Sequence, residues 1–165
     1  MKKITNIMLL TISLVILSSS SLLALDEYKV DKSKIPAPLK TDKKIDFVKE
    51  IKPIFEKACI NCHADNMRRP KGKYSMSTRE KTIKGGRSEL KAIILKKSDK
   101  SPLVYMISDA ITAYGDDDAG EDYWMPLVSK REKYKKLTQK QVSLIRTWID
   151  QGAVWPKDVK ILKKD

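Results

Sequence analysis

Five adjacent residues, Cys59-Ile60-Asn61-Cys62-His63, hold both cysteines and the single histidine of the 165-residue chain. Side chains three apart share one face of a helical turn. Cys59 and Cys62 can therefore present both thiols to one edge of a planar ring. Two thiols adding across two vinyl groups form two thioethers, and an imidazole immediately afterwards can turn towards a central iron. This spacing is the signature of covalent c-type haem attachment. The run from Ile54 to Ala58 supplies an apolar wall against the ring. A structural zinc site needs four nitrogen or sulfur ligands, and only three such side chains exist here. A thiol oxidoreductase places Cys-x-x-Cys at a helix N-terminus after a strand, whereas this motif closes an apolar helical segment. A plain disulfide leaves His63 unexplained. The expectation is one haem c, attached through Cys59 and Cys62, with His63 on the iron.

The sixth ligand cannot be a second histidine. Methionine is the usual alternative in electron-carrying haem proteins, and Met67, Met76, Met106 and Met125 follow the N-terminal segment. Met67 is only four residues beyond His63, too little chain at ~3.5 Å per extended residue to pass round the ring. Met106 falls on the apolar face of a predicted helix, where core filling is the simpler role. Met76 precedes a helix cap and stays open as a candidate. Met125, in Tyr123-Trp124-Met125-Pro126, lies on a loop braced by proline and is favoured. The other reading is an open or water-filled position.

The elements that must position these residues are short helices. Phe47, Val48, Ile51, Ile54, Phe55 and Ala58 fall at helical spacing before the motif, with Pro53 kinking the helix or marking its start. Ser77-Thr78-Arg79-Glu80 is a capping box and Gly85-Gly86 a stop. A second short helix is expected from Leu90 to Lys96. Ser101-Pro102 opens a helix bearing Leu103, Met106, Ile107, Ala110 and Ile111, ending near Tyr114. Thr138-Gln139-Lys140-Gln141 caps a last helix, with Val142, Ile145 and Ile149 on one face, closed by Gly152 and Pro156. No strand with sustained alternation is evident. The fold class expected is all-α: a small helical fold of four to five short helices around the haem. The acidic residues 114–122 lack the spacing of a calcium-binding helix-loop-helix and read as a solvated loop.

Lys2 and Lys3, the apolar stretch Ile7 to Leu17 and the small residues up to Ala24 have the order of a secretory signal, with an uncleaved anchor as the alternative. Both place the rest outside the cytoplasm, where bacterial c-haem ligation occurs, so a periplasmic location is expected. Residues 25–44 read as a lysine-rich tether, 45–157 as the haem domain and 158–165 as a basic tail. The formal net charge of +13 falls to +11 without Lys2 and Lys3. It favours an anionic partner: an acidic docking face on a redox protein, or a membrane surface. Nucleic acid is not expected, because no binding motif or aromatic stacking platform accompanies the charge.

The series from Phe47 through Ile51-Lys52-Pro53-Ile54-Phe55, the haem motif, Ser77-Thr78-Arg79-Glu80, Gly85-Gly86, Ser101-Pro102-Leu103, Met125-Pro126 and Trp148-Ile149-Asp150-Gln151-Gly152-Ala153 with Trp155-Pro156 resembles the planctomycete-type cytochrome c domain. The likeness spans about residues 45–156. It differs at Leu127, where the family usually has a second proline, and in the intervening Val128 to Lys136. The resemblance implies a class-I-like cytochrome fold, Cys59 and Cys62 as attachment points, His63 as proximal ligand and Met125 as distal ligand. The resemblance implies a haem carrier; the function expected is electron transfer, since nothing in the sequence marks a catalytic acid or base. The rival expectations are a haem enzyme or gas sensor with an open distal site, and an accessory haem subunit of a larger oxidoreductase. Arg68, Arg69 and Arg87 could offset haem propionates, although exposed surface arginine is the plainer reading.

Overall fold

The computed structural model describes residues 28–116 and 118–164. The export signal expected at 1–24 lies outside the described residues. Among them, no helix is long and apolar enough to cross a membrane.

The described residues form four α-helices: α1 (Lys52–Ala58), α2 (Arg79–Lys84), α3 (Pro102–Ile107) and α4 (Gln139–Asp150). Two strands, β1 (Tyr28–Val30) and β2 (Ile111–Tyr114), pair antiparallel, with Tyr28 opposite Tyr114 and Lys29 opposite Ala113. The all-α expectation is therefore corrected to a small mixed fold. Ala110 and Ile111 fit the spacing of the preceding helix, but α3 stops at Ile107 and Asp109 adopts a φ of 56°. That left-handed residue turns the chain out of the helix, and Ile111 to Tyr114 then alternate buried and more exposed as a strand does. Both strands are too short to show a sustained period in sequence.

The helix expected over Leu90 to Lys96 is also absent. Its backbone bonds outward instead: Lys96 N–H donates to the Ile149 carbonyl at 3.0 Å, and Ile94 N–H to Ser101 Oγ at 2.9 Å. Ile93 is buried at the centre of this connection.

Approaching α1, Asp46 Oδ1 accepts from the backbone N–H groups of Val48 and Lys49 at 2.8 and 3.0 Å. A wide, π-helical turn, Phe47–Ile51, follows and gives way to α1 with Pro53 in its first turn. Proline has no N–H to donate back to Lys49, so the ladder changes register where Pro53 sits. α4 is the longest of these four helices. The Thr138–Gln141 capping box closes its N-terminus, and Val142, Ile145, Trp148 and Ile149 are buried on one face. Its Trp148 meets Phe55 edge-on at 5.8 Å, while Phe47 stacks on Trp155 at 3.8 Å. This aromatic group fixes α1 against α4 and so fixes where α1 ends.

The lysine-rich segment is not a free tether along its described length. Leu39 N–H donates to Thr147 Oγ1, Ile45 N–H to Gln151 Oε1, and Arg146 to the Pro36 carbonyl. Residues 36–45 are thus bound along α4.

Candidate haem-attachment site

α1 ends at Ala58, and the chain keeps winding after it. Cys59 N–H donates to the Phe55 carbonyl at 2.9 Å, and the N–H groups of Cys62 and His63 both donate to the Cys59 carbonyl at 3.0 Å. Both cysteines and the histidine therefore sit on one turn, and neither thiol is in a disulfide. Burial pushes the Cys59 thiol up to about 12, with Cys62 adding to the shift. Cys59 is thus held as the neutral thiol.

His63 is oriented by backbone. Its Nδ1 lies 3.1 Å from the Tyr74 carbonyl. A carbonyl only accepts, so Nδ1 carries the proton and Nε2 keeps its lone pair. Burial lowers the pKa of the imidazole, opposed by the carbonyls of Tyr74 and Lys71. The histidine is thus held neutral, as a metal ligand must be. An outer hydrogen bond of this kind fixes ring orientation and raises ligand basicity.

The returning chain clamps the turn. Lys71 N–H donates to the Cys62 carbonyl at 2.9 Å, and Met76 N–H to the His63 carbonyl at 2.7 Å. Tyr74 is held by its own hydroxyl, which donates to the Thr82 carbonyl at 2.9 Å, and its ring packs 5.2 Å from the imidazole. Gly86 presses on this segment: a Cβ there would lie 2.5 Å from the Gly72 carbonyl oxygen and 2.9 Å from Tyr74 Cβ. Sequence alone reads Gly86 as part of a helix stop and gives no role to Tyr74. Nothing in a single sequence marks a tyrosine whose carbonyl, not its side chain, does the work.

Arg79 was also missed. Its guanidinium donates to the carbonyls of Ala153 and Gly152 at 2.8 and 3.1 Å, tying the start of α2 to the end of α4. The sequence-predicted methionines separate by environment. Met76 is buried in the main core, and Met106 packs on a second cluster with Tyr28, Tyr105 and Ile111. Met67 N–H closes a turn onto Ala64. Met125 is half-buried at the margin of the main core, as Cys59 and Tyr74 are. Arg68, Arg69 and Arg87 are exposed. No cluster of three or more metal-ligating His, Cys, Asp or Glu occurs among the described residues.

Residues 59–113 match the family model described as Planctomycete cytochrome C. Over these residues, about a third of the chain, the sequence is similar to planctomycete cytochrome c. The matched region opens on Cys59 and runs through α2 and α3 into β2, while Met125 and α4 lie beyond it. No curated protein and no solved structure matches the chain. Haem c is the cofactor that a cytochrome c region takes. The residues present fit it: two unpaired thiols one turn apart, and a neutral imidazole with Nδ1 committed and Nε2 left to bind metal.

Proposed function

We propose that this chain is an exported, mono-haem c-type cytochrome that carries electrons. Cys59 and Cys62 would hold the haem. Each thiol S–H adds across one vinyl C=C, the sulfur taking one carbon and the hydrogen the other, so no group leaves. His63 Nε2 would be the proximal ligand and Met125 the distal one. The bound haem supplies one-electron chemistry at iron. The protein's part is to bind and orient it, and to keep both axial positions filled so that no substrate reaches the metal.

The observation that carries this reading is the Tyr74 carbonyl on His63 Nδ1. It commits Nδ1 and leaves Nε2 as the nitrogen that would bind iron. For Met125 the support is its half-buried position on a loop, in contrast to the buried Met76. It stands 62 residues after His63, ample chain to reach the opposite face of the ring. The lysine-rich surface favours a redox partner with an acidic docking face, and the segment before Leu25 favours a periplasmic site of action.

The test is the optical spectrum of the haem-loaded protein, with and without carbon monoxide. Wild-type protein should show the methionine-to-iron charge-transfer band when oxidised and take up carbon monoxide slowly when reduced. Met125→Ala should lose the band and bind carbon monoxide rapidly. Rapid uptake by wild-type protein would support an open-site enzyme or sensor instead.

A further inference from the structure

The segment after Met125 carries an arginine whose contacts converge on the Met125 loop. Arg131 Nε donates to the Pro126 carbonyl at 3.1 Å, and its Nη2 lies 2.6 Å from Asp109 Oδ1. Its Cζ stands 5.7 Å from the centre of the Trp124 ring. One side chain thus touches both neighbours of Met125. The anchor at its far end is firm, because the Asp109 side chain is only 8 % exposed and also pairs with Lys136 at 2.7 Å.

The same loop is fixed from the other side. Met125 N–H donates to the Met106 carbonyl at 2.9 Å. Trp124 Nε1–H donates to the Ile111 carbonyl at 2.8 Å. Met106 lies in the last turn of α3, and Asp109 in the connection between α3 and β2. Two attachments of the loop, one through Met125 N–H and one through Arg131, therefore end on residues 106–109.

We infer that Arg131, held by Asp109, is a positioning residue that keeps the Met125 side chain at the haem iron. The inference rests on the proposed axial role of Met125. A guanidinium is suited to the task because its planar fork satisfies a carbonyl and a carboxylate at once while its face lies on an aromatic ring. An ammonium cannot do all three. A hydrogen bond to a charged group stabilises by about 1.5–3 kcal/mol, so losing it raises the fraction of open loop roughly ten- to a hundredfold, at tenfold per 1.36 kcal/mol. The open fraction sets how quickly an external ligand captures the iron.

The experiment uses the full-length, haem-loaded protein with Arg131→Leu, Arg131→Lys, Met125→Ala and, as a charge control from the same segment, Lys133→Gln. Lys133 faces the Tyr134 ring at 5.4 Å. Each is read by the methionine-to-iron band and by the rate of carbon monoxide capture. Arg131→Leu should bind carbon monoxide at least about tenfold faster than wild type, in keeping with that open fraction, and lose the band at a lower temperature than that of global unfolding. Arg131→Lys should fall between, and Lys133→Gln should match wild type. A merely structural arginine would lower the melting temperature and leave the capture rate below it unchanged, and that result overturns the inference. If Arg131→Leu does not fold, Arg131→Lys decides: a wild-type capture rate overturns the proposal, and a several-fold increase supports it. If Met125→Ala itself behaves as wild type, the axial role of Met125 fails and the positioning role falls with it. If Met125→Ala opens the site and neither Arg131 variant does, only the positioning role is wrong.

Discussion

Gly86→Ala should disturb the haem site although residue 86 bears no ligand. A Cβ at this position would stand 2.5 Å from the Gly72 carbonyl oxygen and 2.9 Å from Tyr74 Cβ. Both must move out to at least 3.0 Å, so the closer contact has to open by about 0.5 Å, and overpacking of this kind costs about 1–3 kcal/mol. Tyr74 cannot yield freely, because its hydroxyl is bonded to the Thr82 carbonyl and its own carbonyl faces His63. If the Gly72–Tyr74 segment recedes as one piece by that shift, the 3.1 Å contact to His63 Nδ1 stretches to about 3.6 Å, beyond hydrogen-bonding range. With His63 as the proposed iron ligand, it would then donate less electron density to ferric iron, and the reduction potential should rise. A hydrogen bond worth about 1 kcal/mol limits the rise to roughly 40 mV, since a tenfold change corresponds to 59 mV for one electron. The assay is redox titration of the haem-loaded variant beside urea unfolding. Gly72→Ala is the contrast. It has open space around its Cβ but a φ of 62°, so it should lose about 1 kcal/mol or more of stability with no change in potential. An unchanged potential in Gly86→Ala together with wild-type stability would refute the chain of contacts from Gly86 through Tyr74 to His63.

Three further outcomes are expected. Arg79→Met removes both hydrogen bonds to the end of α4 and should lower unfolding stability by about 2 kcal/mol, with the haem spectrum unchanged. In the haem-free Cys59→Ala/Cys62→Ala protein, burial holds the His63 pKa below its unfolded value of 6.5. The unfolded chain then binds more protons, so stability measured by denaturant titration should be full above pH 6.5 and fall as pH drops through that value towards the folded pKa; a flat profile would contradict this. Raising ionic strength should slow electron exchange with an anionic redox protein, because exposed charges are screened beyond roughly 8 Å at physiological salt, and stopped-flow rates at low and high salt check it.

The site's chemical groups were legible because they are contiguous: Cys59, Cys62 and His63 need only one turn to come together, and the apolar spacing from Phe47 to Ala58 announces the helix that carries them. α4 was legible for a similar reason, since its cap, apolar face and glycine stop all lie within Thr138 to Gly152. The sheet was not. β1 sits among lysines, its partner lies some eighty residues further on, and four residues of β2 satisfy a helical pattern as well as an alternating one. Asp109, whose positive φ separates α3 from β2, carries no sequence mark of that conformation beyond its residue type. Leu90 to Lys96 looked helical because apolar residues recur there, yet its amides are taken by Ser101 and Ile149 from outside the segment. Tyr74, Arg79 and Arg131 were invisible for one shared reason. Each works through a backbone carbonyl, its own for Tyr74 and a partner's for the two arginines, and a carbonyl has no identity in a sequence.

Intact mass of the purified protein, produced with a c-haem maturation system and then denatured, tests the covalent mono-haem assignment most directly. The polypeptide should be heavier by the mass of one haem, and by none when Cys59 and Cys62 are both alanine. A bare polypeptide mass for the wild-type protein, or haem that leaves with the denaturant, would contradict attachment at this turn.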